Sequence, residues 1–321
     1  MRNDLKNIRG ILPVIPTPFT PEGEIAWEDF RALIDFAAAA GACAACLPAY
    51  ASEFYKLTDE ERSQLVYEAV SHSNGRLPIV GQVNTPSAAS AVEAVESHQR
   101  AGVAGLAVAV PRLFALPEDD LFRYFDRVLA PAQVPVIIQD FNPGGASVSP
   151  QFIVRLHERH PQFRYIKLEE PMMAAKAARI RQESGGAVQV IEGWGGMYML
   201  ELIPAGISAV MPGVALTDLL ARVFELAGAG DVEEAYEIFA VVLPQIVFSL
   251  QNLELFHHAE KLLLRDRGII RHAAVRDAGL LLRPEDERHI RFLNGRILAL
   301  LDRYALPANP LSIAAGNKAL P

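Results

Sequence analysis

Short apolar, β-branched segments, each followed by a stretch with helical spacing of apolar residues, alternate eight times along this chain. The strand-like segments cover residues 10–19, 43–50, 77–83, 105–111, 134–140, 165–169, 188–193 and 208–213. Between them the spacing predicts helices over 27–40, 58–74, 87–101, 118–129, from about 150 onward, over 172–183 and over 197–205. Strands that are nearly continuous in apolar residues are covered on both faces, and parallel strands joined by helices provide that cover. Eight such units predict an α/β chain forming a TIM (β/α)8 barrel. An open doubly wound sheet would require a glycine-rich phosphate loop after an early strand, and no G-x-G-x-x-G or P-loop pattern occurs. Beyond Thr217 the pattern becomes helix only, at 218–229, 231–250, 253–267 and 283–301. The expected organisation is barrel strands and most barrel helices in 1–216, the last barrel helix and a C-terminal helical appendage in 217–306, and a tail at 307–321.

Hydrophobic residues make up 51% of the 321 residues and charged residues 21%, a globular balance with length for a sizeable core. The net charge of −8 with no lysine/arginine run argues against a nucleic-acid surface and leaves a small molecule as the expected partner. No apolar run is long enough for a bilayer and the N-terminus lacks a secretory pattern, so a cytoplasmic protein with no membrane partner is expected. Cys43 and Cys46 have redox-like spacing but lie in a strand-like apolar run, where residues three apart face opposite ways; they are read as core.

The segment Tyr165-Ile166-Lys167-Leu168-Glu169-Glu170-Pro171 carries the chemistry. Alternation puts Tyr165, Lys167 and Glu169 on one face and Ile166 and Leu168 on the other. A lysine enclosed by that packing tends to lose its proton, and a neutral amine attacks carbonyl carbon. Barrel enzymes gather reactive groups at the C-terminal strand ends. Here those ends offer Thr17, then Tyr50, Ser52 and Glu53, Gln139 and Asp140, Lys167 and Glu169, Glu192, and Gly213. One lysine among acids and hydroxyls is suited to enamine chemistry, in which a 2-keto acid condenses with the amine and an acid/base group moves a proton at C3. An inward Glu169 or Glu192 serves equally well as a structural partner of the lysine, and Glu53 as a helix anchor. His157, His160, His257 and His258 form no metal-ligand spacing, so neither a metal nor a cofactor is expected.

These features resemble the dihydrodipicolinate synthase/N-acetylneuraminate lyase family of imine-forming lyases. The resemblance rests on Gly-x-x-Pro-x-x-x-Thr-Pro-Phe at 10–19, Ser52-Glu53-Phe54-Tyr55-Lys56-Leu57-Thr58 with Glu61-Arg62, Lys167, Gly193 and the helical C-terminus. It implies Lys167 as the imine lysine, a 2-keto acid partner such as pyruvate, and a homo-oligomer, tetramer or dimer. The sequence departs from the family at several sites. The usual Gly-Thr-Thr-Gly-Glu is replaced by Ala49-Tyr50-Ala51-Ser52-Glu53, which leaves carboxylate binding to Tyr50, Ser52 or backbone amides around Ala51. The relay tyrosine falls on Gln139 or Asp140, the aldehyde-gripping arginine on Gly144 or Gly145, and the tyrosine near strand four around Arg112-Leu113. Ala49-x-x-Ser52-Glu53, Gln139-Asp140, Lys167-x-Glu169-x-Pro171 and Glu192-Gly193 are similar to the L-2-keto-3-deoxyarabonate dehydratase branch. That branch implies dehydration of a 2-keto-3-deoxyaldonate through the lysine imine. The catalytic residues expected here are Lys167 with Glu169 and Glu192, one or the other for the acid/base work, with Gln139 and Asp140 on substrate hydroxyls and Thr17, Tyr50, Ala51, Ser52, Gly193 and Gly213 around the substrate. A pyruvate-releasing aldolase, a dihydrodipicolinate synthase-like condensation and a keto-acid-binding barrel without turnover are the alternatives.

Overall fold

The computed structural model describes residues 5–112, 115–141 and 147–311. Leu113, Phe114, Gly144, Gly145 and the tail from 312 lie outside the described residues. Eight parallel strands, β1 (Gly10–Ile11), β2 (Ala45–Leu47), β3 (Ile79–Val83), β4 (Gly105–Ala109), β5 (Val136–Phe141), β6 (Phe163–Glu169), β7 (Gln189–Glu192) and β8 (Ala209–Val210), form one sheet in the order β1-β8-β7-β6-β5-β4-β3-β2. Cys43 N donates to Ile11 O, Ile15 N to Cys46 O and Cys46 N to Pro13 O, so backbone bonds close the ring between β1 and β2. The expected barrel is present.

The helices are α1 (Trp27–Ala39), α2 (Asp59–Ser73), α3 (Ala88–Ala101), α4 (Glu118–Leu129), α5 (Pro150–Arg159), α6 (Met173–Glu183), α7 (Met199–Ala205), α8 (Thr217–Ala229), α9 (Val232–Ser249), α10 (Leu253–Asp266) and α11 (Pro284–Arg303). Local chemistry sets their starts. Thr58 Oγ1 accepts from Glu61 N while Glu61 Oε2 accepts from Thr58 N, a reciprocal cap on α2. The Ser149 hydroxyl accepts from Phe152 N, and Pro150 occupies the first turn of α5, where a missing N–H costs nothing.

The first two strands are much shorter than the apolar runs predict, as is β8. Prolines at 13, 16 and 18 remove ladder donors, so β1 ends at Ile11 and the run continues as single bridges from Val14 to Cys46 and to Gly213. The run 43–50 yields strand only at Ala45–Leu47, because Pro48 follows and Tyr50–Ser52 coils into a 3-10 turn. Cys43 therefore precedes β2. It packs on the same interior cluster as Cys46, not on the opposite face, and both thiols are free.

The sheet has two cores. Leu12, Val14, Cys46, Val80, Ala107, Ile137, Tyr165, Ile191, Ala209 and Met211 fill the barrel interior. Val108, Ile138, Ile166, Leu168, Val190 and Val210 belong to the larger core between strands and helices. The Tyr165 hydroxyl donates to Leu5 O and accepts from Ile8 N, sealing the N-terminal end of the barrel. The opposite end of the same face carries Lys167 and Glu169.

The C-terminal helices also enter the barrel's architecture. Glu260 on α10 accepts from Ala215 N at 2.8 Å, holding the 3-10 turn after β8. Lys261 on the same helix pairs with Glu53 beyond β2 and donates to Ala274 O at 2.8 Å.

Candidate active site

Register decides which side chains converge. Gln139 stands abreast of Lys167, Phe141 abreast of Glu169, and Lys167 abreast of Ile191. Ile137 and Ile191 are interior residues, so Gln139, Lys167 and Glu169 point into the barrel mouth. Lys167 is 5% exposed and Glu169 6%. Lys167 Nζ lies 2.7 Å from Glu169 Oε1, and Gln139 Nε2 donates to that same oxygen at 2.8 Å. Gly193 makes room for them. A Cβ there would lie 2.7 Å from Lys167 Cε and closer still to Glu169 Cγ. Only glycine fits.

Behind Gln139 runs a chain of polar groups. Gln82 Nε2 donates to Gln139 Oε1 at 3.0 Å and to Asn84 Oδ1 at 2.9 Å; Asn84 Nδ2 donates to Pro48 O at 2.9 Å. The Cys46 thiol donates to Gln82 Oε1 at 3.4 Å. Burial pushes that thiol up to about 12, so it stays protonated and remains a donor. Sequence reasoning passed over Gln82 and Asn84. The signal was a glutamine inside the apolar run 77–83.

Glu192 does not join this group. It is abreast of Leu168, an outer-core residue, so its side chain leaves the sheet on the helical side. There Oε1 accepts from Trp194 N at 3.1 Å and Oε2 from Gly196 N at 2.7 Å, fixing the turn into α7. Complete burial pushes its carboxyl up to about 7, against the opposing pull of the Gly196 and Tyr198 backbone N–H groups and of Lys167. Asp140 is likewise abreast of Leu168. It pairs with Arg112 and accepts from Val148 N at 2.7 Å, and burial raises its carboxyl despite the arginine. The expectation that both acids face the substrate is corrected: Glu192 holds the turn into α7, and Asp140 holds Arg112 and the backbone at Val148.

The hydroxyls of Thr17 and Ser52 are committed to backbone. Thr17 donates to Ser52 O at 2.7 Å; Ser52 donates to Ile15 O at 2.6 Å and accepts from Ala49 N at 3.0 Å. They shape the turn that carries Tyr50 and Ala51. Tyr50 packs on Phe54 and Phe141 with ring centroids 5.0 and 5.1 Å apart. Its phenol has no hydrogen bond among the described residues, and burial followed by the Glu169 charge pushes it up. Gly213 has no side chain because Glu260 fills the space: a Cβ would meet both carboxylate oxygens at 2.6 Å. Tyr55 points away, to Glu254 and His257. Glu53 is completely buried, in a left-handed conformation (φ 60), held by Lys56 and Lys261.

The chain that builds this barrel has relatives among known proteins. Residues 7–285 match the Dihydrodipicolinate synthetase family. The chain belongs to that family. It is therefore a lyase of the dihydrodipicolinate synthetase family. It is 29% identical to an L-2-keto-3-deoxyarabonate dehydratase of Azospirillum brasilense over 92% of this chain and 97% of that protein. It is also 31% identical to a 4-hydroxy-tetrahydrodipicolinate synthase of Dechloromonas aromatica, over 47% of this chain and 52% of that one. Among solved family structures, the dihydrodipicolinate synthase of Rhodopseudomonas palustris superposes with a TM-score of 0.84 at 22% identity, covering 91% of this chain and 98% of that one. That likeness carries the fold. Among the described residues no group of three or more His, Cys, Asp or Glu side chains could hold a metal ion, and no helix is long and apolar enough to cross a membrane.

Proposed function

We propose that this lyase dehydrates a 2-keto-3-deoxyaldonate through an imine on Lys167. The observation that carries the reading is the enclosed Lys167–Glu169 pair with Gln139, one of the two positions on which the relay tyrosine of the resemblance falls, on the same carboxylate oxygen. The Lys167 amine adds to the C2 carbonyl and a water leaves, giving an iminium whose positive charge Glu169 continues to pair. The iminium draws electrons from C3, and Glu169 takes the C3 proton. The resulting enamine expels the C4 hydroxyl, which leaves as water after receiving a proton. The C3–C4 alkene so formed loses a proton from C5 and one from the C5 hydroxyl while gaining one at C3 and one at C4, which gives the semialdehyde. Hydrolysis of the imine consumes one water and frees Lys167, so the cycle releases one water overall.

The near full-length similarity to an L-2-keto-3-deoxyarabonate dehydratase supports a five-carbon substrate. The Tyr50 phenol and the backbone amides of the turn at Ala51 are the groups suited to the substrate carboxylate. Glu192 and Asp140 act at one remove, through the loops they fix. Borohydride reduction after incubation with pyruvate or a 2-keto-3-deoxypentonate, followed by peptide mapping, tests the imine. An adduct on Lys167 is expected, and the Lys167→Ala variant should neither trap nor turn over. A folded wild-type protein that traps neither keto acid overturns the reading. Product analysis then separates the chemistries: a semialdehyde without pyruvate is expected, whereas pyruvate release would assign a retro-aldol cleavage.

A further inference from the structure

The polar chain behind the lysine has a direction. The Pro48 carbonyl can only accept, so Asn84 must turn its NH2 toward it and its carbonyl toward Gln82. Gln82 must then present its NH2 to Asn84, and its carbonyl receives the Cys46 thiol. The second N–H of Gln82 meets the Gln139 carbonyl, which leaves the Gln139 NH2 facing Glu169. Reversing Gln82 alone would set its carbonyl against those of Asn84 and Gln139. An acceptor-only carbonyl at one end therefore fixes every amide up to an acceptor-only carboxylate at the other.

We propose that Gln82 is a positioning residue that locks the Gln139 amide with its NH2 on Glu169 Oε1. Oε1 is then occupied by Gln139 and Lys167, and Oε2 is the oxygen left to exchange a proton with the substrate. The inference rests on the acid/base reading of Glu169 given above. The titratable groups facing Glu169 and its lysine are Lys167 itself on β6, Tyr50 from the turn after β2 and Cys46 on β2, while Glu192 on β7 acts on them only through its charge, from the helical side of the sheet.

Polarity, separated from shape and charge, is what an experiment must vary. Gln82→Met keeps the length and removes the donors. Gln82→Glu keeps the shape but, when ionised, accepts from Gln139 and so turns the Gln139 carbonyl toward Glu169. Thr85→Asp introduces the same charge three residues along but outside the polar chain, where its carboxylate can accept from Ser87 N as the Thr85 hydroxyl does, and leaves every amide of the chain in place. Pyruvate trapping by the wild type is measured first; failure there overturns the lysine reading and this inference with it. Given trapping, Gln82→Met should lower kcat about tenfold, the scale of one lost hydrogen bond, with KM little changed. Gln82→Glu should lose about a hundredfold at pH 8 and recover toward the Met variant as acid protonates the new carboxyl and restores a donor. Thr85→Asp should stay within about twofold of wild type, because the amide direction survives. The inference is overturned if Thr85→Asp falls as far as Gln82→Glu, if the losses appear in KM alone, or if Gln82→Glu has the wild-type pH profile. Should Gln82→Glu fail to fold, Gln82→Met decides: a kcat equal to wild type refutes the role.

Discussion

Replacing Gly193 with alanine tests the crowding around the lysine. Gly193 does not have a positive φ, so alanine meets no backbone obstacle and the effect arises from its methyl group alone. That methyl would lie 2.7 Å from Lys167 Cε and 2.9 Å from Glu169 Oε1. Ordinary carbon–carbon contact begins at about 3.5 Å, so Lys167 must retreat by about 1 Å and Glu169 with it. Overpacking of this kind costs about 1–3 kcal/mol of stability. A displacement of that size at reacting groups costs about a hundredfold in rate. Denaturant unfolding would read the first quantity, and the rate of borohydride trapping with pyruvate the second. Gly279→Ala is the control, since its nearest new neighbour, Glu254 Cγ, would lie at an ordinary 3.5 Å. A Gly193→Ala protein that traps pyruvate at the wild-type rate would refute the claim that Lys167 and Glu169 occupy the only space available to them.

Glu192 should make stability pH-dependent. Its carboxyl is raised to about 7 in the folded protein, so between its ordinary value of 4.5 and 7 the folded state binds more protons than the unfolded state. Stability therefore falls as pH rises through that window, by about 3 kcal/mol for this group. Urea titrations of Glu192→Gln at pH 5 and pH 8 should show a correspondingly flatter dependence than wild type; parallel curves would contradict the shift. Lys261→Met should destabilise by about 3 kcal/mol by leaving Glu53 to Lys56 alone, and adding Glu53→Gln should recover part of that loss. Additive losses in the double variant would show that the pair is not coupled.

Periodicity alone was enough to read the eightfold architecture, and alternation along 165–169 correctly grouped Tyr165, Lys167 and Glu169. It could not say which face of the other strands looks inward, because a parallel barrel is apolar on both sides. Val190 and Ile191 are equally apolar, yet one meets the helices and the other the interior, and Glu192 follows the phase of Val190. Asp140 was misread for the same reason. Gln139 and Gln82 fall in the inward phase, but their contact joins residues 57 apart and depends on neighbouring strand order. The pairing of Glu53 with Lys261 spans 208 residues and leaves no local trace at either end.

That last pairing bears on how such enzymes can be recombined. Glu53 begins the turn leading from β2 toward α2, and its carboxylate is shared between Lys56 beside it and Lys261 on α10. Glu260, next along α10, props the turn after β8 and occupies the space left by Gly213. A chimera that imports the β2 turn from a relative without its α10, or a barrel trimmed after α9, would strand a buried carboxylate and unsupported backbone at the reactive mouth. The inheritable module is two segments far apart in the chain, and they must be exchanged together.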